Sequence, residues 1–378
     1  YIRRAIEEHL GNKQVYRRIT PIEANTIQYK LSFRLSQWLG KHSKTVPEHE
    51  RDYLRTARRK CGSKYARFRM SCKLHKTPNW HLTKGDLRFR PIVACCGTWL
   101  NCWSKWLDYH LSKLTRFVPT YWGGEDPILD WLRTINNLPP WAFVFTSDAR
   151  AMYTNIDTQH AIAIICLWLD ELSAHPDFPK DFPLDAVKEA MKHIMRNNHF
   201  VFGDLNFLQI LGTAMGTSAA CIWATIYYGY HEVKKLLPTF SPQLYDGCMV
   251  RWIDDIFGIW CCNECKSWRN CHHWKEFVNS LPFGKLQWDT AEPSKSAVFL
   301  DLTISIEGRR IVTTTFQKPM NLYLYILPSS NHSPKQTKAI IYQLMRRYRL
   351  QNTRYSDYIK YSLLLYRRPL ARGHLPDD

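Results

Sequence analysis

The chain has 378 residues, 45 % hydrophobic and 22 % charged, so it is a globular protein long enough for about two or three subdomains. Its formal net charge is +19, and both ends are basic, with 22 Lys and Arg against 7 Asp and Glu over residues 1–90, and 13 against 4 over residues 307–378. Residues 91–306 are acidic, with 17 against 22. This distribution favours a metal site between surfaces that bind a polyanion such as nucleic acid. A generically basic protein is the alternative.

The cysteines and the apolar stretches bear on the compartment. The twelve cysteines lack the regular spacing of a disulfide framework, which favours a reducing, intracellular environment. The chain begins with Tyr1 and basic sequence, so we expect a fragment of a longer protein. The uncharged stretch Leu205–Tyr230 has the length of a transmembrane helix, but the segment from Gly212 to Gly216 is too polar and too rich in glycine for one. We therefore expect a buried helix opened by a glycine loop, and no membrane.

Hydrophobic periodicity predicts the elements along the chain. Residues 1–60 are typical of basic amphipathic helices, and Pro21 with Glu23 suits a helix start. The elements predicted after them are a hairpin with strands at 67–76 and 87–93, a helix over 98–116, a buried strand over 141–148, helices near 158–172 and 184–197, a hairpin around 254–255, a helix near 265–280, a strand pair over 298–316 and basic helix over 332–370.

Two adjacent carboxylates, Asp254 and Asp255, interrupt an apolar stretch that predicts two short strands. Such a break in local consistency is typical of functional sites, and paired carboxylates suit Mg²⁺, which prefers oxygen ligands. A solvated acidic turn is the alternative. Asp148 ends another predicted strand, 106 residues before Asp254. If the strand ends of one sheet bring Asp148 within about 10 Å of Asp254, the three carboxylates can hold two Mg²⁺ ions for in-line phosphoryl transfer.

Six motifs in a fixed order resemble those of reverse transcriptases. They are Cys72-Lys73-Leu-His-Lys76 (motif 1), Arg90-Pro-Ile92 (motif 2), Phe145-Thr-Ser-Asp148 with Tyr153-Thr-Asn-Ile156 (motif A), Gln209-Ile-Leu-Gly212-Thr-Ala-Met-Gly216 (motif B), Trp252-Ile-Asp254-Asp255 (motif C), and Phe299-Leu-Asp-Leu302 with Phe316-Gln-Lys-Pro319 (the D and E region). These strings are similar to Penelope-like retroelement reverse transcriptases, relatives of telomerase. The resemblance covers about residues 65–345.

The resemblance implies a role for each matching residue. Asp148 and Asp254 would be the main ligands of two Mg²⁺ ions, with Mn²⁺ as the alternative metal; Asp255 would be a supporting carboxylate and the Ala149 carbonyl a further ligand. Tyr153 would be the steric gate against ribonucleotides, and Lys73 and Arg90 would bind the triphosphate. Gln209 and Gly216 would lie beside the nascent base pair, and Lys318 beside the primer strand. Core packing is the alternative for Tyr153, and general surface basicity is the alternative for Lys73 and Arg90.

Three positions depart from the family's pattern. Trp252 stands where the family usually has Tyr, and Cys72 stands where Pro often precedes the motif 1 lysine. Arg150 adds a cation next to the metal-binding region. None of these changes removes a carboxylate, so we expect an active enzyme.

The resemblance implies an α+β, right-hand polymerase fold with an antiparallel palm sheet, fingers hairpins and a helical thumb. The expected domains are an N-terminal helical extension (1–60), fingers (61–140), palm (141–320) and part of a thumb (321–378). The expected activity is that of a nuclear, retrotransposon-encoded RNA-directed DNA polymerase, a nucleotidyltransferase that binds an RNA template, a DNA primer or RNA–DNA hybrid, and dNTPs. The alternatives are another polymerase of this fold, such as an RNA-dependent RNA polymerase, and a domesticated, non-catalytic RNA-binding protein.

A second group of metal-ligand residues lies after motif C. Cys261, Cys262 and Cys265 are followed by Cys271-His272-His273, which resembles a zinc site. The spacing matches no established zinc finger, and the segment falls where the family has a plain helix. We therefore expect unligated thiols, with a zinc site as the alternative.

Overall fold

The computed structural model describes residues 2–61, 64–73, 89–319, 321 and 323–374. Leu74, His75 and Lys76 of the motif 1 string, and the loop predicted after them, lie outside these residues. The chain divides into two compact units. The first unit comprises residues 1–121, 149–238 and 279–288, and the second comprises residues 122–148, 239–278 and 289–378.

Helices and strands alternate irregularly along the chain. The helices of the described residues are α1 (Ile2–Leu10), α2 (Pro21–Lys41), α3 (Glu48–Lys60), α4 (Trp99–Ser112), α5 (Glu125–Thr134), α6 (Met152–Asn155), α7 (Thr158–Leu172), α8 (Leu184–Met195), α9 (Ala220–His231), α10 (Leu237–Phe240), α11 (His272–Ser280), α12 (Pro334–Gln351) and α13 (Tyr355–Leu370). Their strands are β1 (Tyr16–Ile19), β2 (Ala66–Cys72), β3 (Phe89–Ala94), β4 (Phe143–Ala149), β5 (Asn198–Phe202), β6 (Leu205–Gln209), β7 (Leu244–Trp252), β8 (Asp255–Trp260), β9 (Trp288–Thr290), β10 (Ser296–Phe299), β11 (Leu302–Glu307) and β12 (Arg310–Thr315).

The first unit contains a five-stranded sheet in the order β1-β6-β5-β2-β3. Its pairs are antiparallel except for β2 and β5, which run parallel. Aromatic side chains fill one face of this sheet, where the rings of Phe68 and Phe200 stack at 5.6 Å and those of Phe200 and Phe207 at 5.7 Å. Burying rings of this size contributes a large share of the unit's hydrophobic stabilisation.

Tryptophans join the helices of the first unit. Trp38 in α2 is fully buried, and its indole nitrogen donates to the Ala186 carbonyl of α8 at 3.0 Å. Its ring also meets those of Trp103 and Trp106 in α4 edge to face, with centroids 5.1 Å apart in each pair. Three helices are thereby held around one side chain.

The second unit contains a four-stranded sheet in the order β7-β8-β4-β9 and a three-stranded antiparallel sheet in the order β10-β11-β12. Strand β8 is buried from Ile256 to Trp260, as expected for a strand covered on both faces. Its side chains share one core with both sheets and α5, including Val144, Ile259 and Leu302. This core fixes the positions of β4 and β8.

Several predicted boundaries are confirmed, and others are wrong. Pro21 opens α2, where the Thr20 hydroxyl caps the helix by accepting from the Glu23 N–H at 3.1 Å. The stretch predicted as a loop and helix over 205–230 contributes strand β6 before its loop and helix α9. Gly203 and Asp204 form the turn between β5 and β6. The prediction of only a loop and a helix over 205–230 therefore missed the second strand of this hairpin.

Three further predictions need correction. The helix expected near 265–280 begins only at His272, because turns occupy the cysteine-rich residues before it. The strand pair expected over 298–316 is a set of three strands, β10 to β12. The basic helix expected over 332–370 is divided between α12 and α13.

Within the described part of the chain, no helix combines the length and the apolarity needed to cross a membrane.

Candidate active site

The adjacent carboxylates lie on a tight hairpin between β7 and β8. Trp252 and Asp255 are partners across the hairpin, so Ile253 and Asp254 form a two-residue turn. Ile253 adopts a positive φ of 54°. The left-handed region is unfavourable for a β-branched residue, and such strain persists only where the surroundings impose it, commonly at functional sites. The turn therefore holds Asp254 in one position at an energetic cost.

A buried arginine supports this turn. Arg251 is fully buried in β7, and its guanidinium donates to the Ile253 carbonyl at 3.0 Å. A charge-assisted hydrogen bond of this kind is stronger than one between neutral groups. Arg251 is not among the residues selected from the sequence. A single arginine in an apolar strand is nevertheless a signal, because a cation there must be paired once it is buried.

The strand pairing brings the third carboxylate to the hairpin. Strand β4 pairs with β8 so that Asp148 lies directly opposite Asp255. Opposed Cα atoms in an antiparallel ladder are about 4.5–5.5 Å apart, and consecutive ones are about 3.8 Å apart. The Cα atoms of Asp148 and Asp254 therefore lie within about 9.3 Å of each other, inside the limit of about 10 Å set from the sequence.

A cavity of about 660 Å³ opens beside this carboxylate pair. Strand β9 and the β10–β11 hairpin contribute two carboxylates that the sequence analysis did not select, Asp289 and Asp301. The predicted Lys318 lines the same cavity. The charged residues of the lining are Glu125, Asp148, Asp255, Asp289, Asp301, Lys318 and Arg347.

Arg347 in α12 neutralises part of this negative charge. Its guanidinium lies 2.7 Å from a Glu125 carboxylate oxygen and 2.8 Å from one of Asp301. Burial lowers the pKa of Arg347, but the charges of Glu125 and Asp301 outweigh burial, so its pKa lies above the usual value. Arg347 thus ties α12 and α5 to the β10–β11 hairpin within the second unit.

Tyr153 lies in α6 of the first unit and is half-buried. Its hydroxyl lies 3.0 Å from the Cys221 sulfur. Its carbonyl accepts from the Thr213 N–H at 2.8 Å. These contacts fix the backbone of the predicted gate residue against the motif B loop and its hydroxyl beside helix α9.

Gln209 holds the same loop from inside. Its side chain is buried, and its amide nitrogen donates to the carbonyls of Tyr153, Leu211 and Thr213 at 2.9–3.2 Å. This is a positioning arrangement that the sequence analysis did not foresee. Contact of Gln209 with a base pair stays a prediction.

Gly216 and the loop around it approach strand β3 closely. Gly216 has a φ of +126°, and a Cβ atom there would lie 2.2 Å from the Val93 carbonyl oxygen. The Val93 N–H in turn donates to the Met215 carbonyl at 2.8 Å. Only glycine fits between these backbones, so motif B is joined to the strand that carries Arg90.

The two predicted triphosphate ligands lie at one end of the β2–β3 hairpin. Arg90 pairs with Ser71 in the ladder and is exposed, and Lys73 follows the last residue of β2. Ala149 is the last residue of β4, next to Asp148. The structure therefore brings Asp148, Asp255 and Lys318 to one cavity of the second unit, with Asp254 in the turn just before Asp255. Lys73, Arg90, Tyr153, Gln209 and Gly216 belong to the first unit.

No model of a known protein family matches the sequence, and no curated protein matches it. Solved structures do match. Telomerase from Candida albicans, solved with the TWJ fragment of telomeric RNA, shares 11 % identity at a TM-score of 0.52, over 89 % of this chain and 57 % of that one. The Sicinivirus 3Dpol RNA-dependent RNA polymerase shares 13 % identity at a TM-score of 0.49, over 88 % and 68 %.

A third match is apo telomerase from Candida tropicalis truncated from its C-terminal domain, with 12 % identity and a TM-score of 0.43, over 66 % of this chain and 54 % of that one. The chain thus spans little more than half of each telomerase chain. At this identity the Candida albicans likeness carries the fold alone. The chain has the mixed helix and strand fold of a polymerase, with mostly antiparallel strand pairs, as the motif resemblance implies.

Proposed function

We propose that this chain is the catalytic part of an RNA-directed DNA polymerase of a retroelement, and that it extends a primer 3′-hydroxyl with dNTPs. The observation that carries the proposal is the register of β4 and β8, which sets Asp148 opposite Asp255 beside the strained turn at Asp254. The motif strings similar to Penelope-like elements support the retroelement assignment. The polymerase fold supports template-directed nucleotidyl transfer.

The carboxylates suit Mg²⁺. Like charges directly opposite across two strands are unfavourable, and Asp148 faces Asp255 in a cavity that Asp289 and Asp301 also line. Divalent cations with oxygen ligands would relieve that repulsion. Asp148 and Asp254 would hold two Mg²⁺ ions, or Mn²⁺, with help from Asp255 and the Ala149 carbonyl. When bound, such ions activate the attacking hydroxyl and stabilise the leaving pyrophosphate.

The other predicted residues would bind and select the substrates. Arg90, through its planar guanidinium, and Lys73 would bind the triphosphate of the incoming dNTP. The Tyr153 ring would exclude a 2′-hydroxyl, and its backbone contacts keep it from moving aside. Gly216 would leave room for the nascent base pair, and Gln209 would hold the loop beneath that pair. Lys318 would contact the primer strand.

We assign residues 61–140 to fingers, 141–320 to palm and 321–378 to part of a thumb, preceded by a helical extension. The strands that carry the carboxylates lie within the palm range, which supports that part of the assignment. The basic ends of the chain would bind the RNA template and the DNA primer or their hybrid, in the nucleus. The telomerase neighbour was solved with RNA, which is consistent with an RNA template.

Primer extension on poly(rA)/oligo(dT) with dTTP and Mg²⁺ tests the proposal. The wild type should extend the primer, and Asp254→Ala should lose roughly 10²–10³-fold or more, the range for removing one group that stabilises transition-state charge. Asp204→Ala, which removes an exposed carboxylate from the β5–β6 turn, is the matched control and should keep full activity.

Three outcomes would contradict the proposal. Equal activity of the wild type and Asp254→Ala would remove the metal role of the carboxylates. Extension with rUTP in place of dTTP would indicate an RNA polymerase. A wild type that binds the RNA–DNA hybrid but extends the primer with neither nucleotide would indicate a non-catalytic RNA-binding protein.

A further inference from the structure

Three thiols converge in the second unit, away from the carboxylate hairpin. The sulfur atoms of Cys262, Cys265 and Cys271 lie within 4.8 Å of one another, and none of the three cysteines forms a disulfide. Cys262 and Cys271 are buried. Cys262 follows β8 by two residues, and Cys271 immediately precedes α11. Residues from the two ends of a turn segment therefore present three soft ligands to one point.

The backbone between these cysteines is folded in a way that serves a thiolate. The Cys265 N–H donates to the Cys262 sulfur at 3.5 Å, and the Lys266 N–H donates to the Cys262 carbonyl at 3.0 Å. Lys266 has a positive φ of 49°, a conformation unfavourable for a residue with a side chain. The tight turn places both thiols of the Cys-x₂-Cys segment on the same side and directs an N–H at one of them.

Two histidines follow Cys271 directly in the sequence, and their ring nitrogens form a second group with a Glu264 carboxylate oxygen, all within 4.8 Å of one another. The rings of His272 and His273 have centroids 3.9 Å apart. The His273 Nε2 atom lies 2.9 Å from a Glu264 carboxylate oxygen. A carboxylate partner of this kind commonly orients a metal-binding histidine.

We propose that Cys262, Cys265 and Cys271 bind a structural Zn²⁺ ion, and that the side chain of His272 or His273 turns towards the three sulfur atoms to supply the fourth ligand. Structural zinc sites are tetrahedral and use this set of sulfur and nitrogen donors. Soft thiolates select zinc over Mg²⁺, so the site is distinct from the carboxylate hairpin. The sequence spacing alone favours unligated thiols, because it matches no zinc finger. The convergence of the three sulfur atoms favours the zinc alternative.

The position of the site gives it a structural purpose. Helix α11 starts at the residue after Cys271, and its Trp274 and Phe277 pack against Phe145 of β4 and Trp260 of β8, with centroids 5.1–5.6 Å apart. These strands carry Asp148 and Asp255. Zinc would thus anchor α11 against the strands that present the carboxylates.

Metal analysis of the purified full chain tests the proposal. Protein from zinc-supplemented cells, purified without chelator, should contain one zinc per chain by inductively coupled plasma mass spectrometry. A Cys265→Ser/Cys271→Ser variant should lose the zinc. Cys96→Ser, which removes an exposed thiol elsewhere, should keep it. Cobalt reconstitution of the wild type should give a thiolate-to-metal charge-transfer band that His272→Ala or His273→Ala alters.

A second measurement covers the case in which the double variant does not fold. A strong chelator should remove the zinc from the wild type and lower its melting temperature. Adding Zn²⁺, but not Mg²⁺, should restore that melting temperature. Three results would overturn the proposal: wild-type protein that neither contains nor takes up zinc, equal zinc in the double variant, or a Cys265–Cys271 disulfide in unreduced peptides. None of these readouts depends on polymerase activity.

Discussion

Individual residues of the motif B region are constrained by backbone packing. Gly212 has a φ of +73°, and a Cβ atom there would lie 2.1 Å from the Tyr153 carbonyl oxygen. That carbonyl already accepts hydrogen bonds from Thr213 and Gln209. A side chain at Gly212 must therefore displace the segment that carries the predicted steric gate.

We predict that Gly212→Ala destabilises the protein by about 1–3 kcal/mol more than Gly97→Ala, the usual range for overpacking. Gly97 is a matched control because its φ is similar, +80°, while a Cβ atom there would meet nothing within 4 Å. Urea denaturation of the two variants measures the difference. Equal losses of stability in the two variants would show that the positive φ alone, without the steric clash, explains why position 212 requires glycine.

The limits of sequence reasoning are also visible at single residues. Asp148, Asp254 and Asp255 could be selected because each breaks a local apolar pattern. Asp289 and Asp301 could not, since only the pairing of β9 with β4 and the contact with Arg347 place them at the cavity. Arg251, by contrast, could have been selected, because a lone arginine in an apolar strand must be paired once it is buried.

At the scale of elements, helix α7 shows how local chemistry sets a boundary. Asp157 caps the helix by accepting from the N–H groups of Gln159 and His160 at 3.0 and 3.1 Å, and it pairs with Lys285 at 3.1 Å. The hydrogen bond from His160 is the main cause that lowers the pKa of Asp157. A carboxyl whose pKa is lowered by folding stabilises the protein above its unfolded pKa and loses that contribution as the pH falls.

We predict that Asp157→Ala lowers the free energy of unfolding at pH 7 by about 0.5–2 kcal/mol, the range for losing an N-cap. Asp157→Asn keeps a capping oxygen and should lose less. Because the contribution of Asp157 disappears in acid, the gap between wild type and Asp157→Ala should shrink as the pH falls through and below about 4. Denaturation at several pH values measures this gap; a gap that widens in acid contradicts the assignment.

Elements with a clear period were predictable, and those set by long-range contacts were not. Strand β4 and helix α7 lie within a few residues of their expected limits, because both have continuous apolar patterns. The break between α12 and α13 was missed because it depends on the Asn352 side chain, which exchanges hydrogen bonds with Thr315 of β12. A sequence window does not contain that partner.

At the scale of the whole molecule, charge is concentrated at the two ends of the chain. The formal charge of +19 is carried there, around an acidic middle that holds the carboxylate hairpin. Several cations of α12 are exposed, including Lys335, Lys338 and Arg349. Such groups bind the phosphates of a nucleic acid whatever its base sequence, and this binding releases counterions from the nucleic acid.

We predict that affinity for an RNA–DNA hybrid falls steeply with salt, by roughly 10³–10⁵ between about 50 and 200 mM if about six to ten phosphates are contacted. Lys335→Gln/Lys338→Gln should flatten the slope of log affinity against log salt by about 0.9 for each lost contact. Fluorescence anisotropy with a labelled hybrid measures both slopes. Affinity that does not change with salt would contradict a phosphate-binding role for the basic ends.

The β4–β8 register also determines which changes in length the gene can tolerate. Successive side chains of a strand alternate between faces, so deleting one codon within β8 would turn every later residue of the strand to the opposite side. Asp148 would then face a different partner, or the buried run from Ile256 to Trp260 would lose its match with the core. Insertions and deletions are therefore expected to be absent from these two strands even where substitutions are tolerated, and to collect in the surrounding loops.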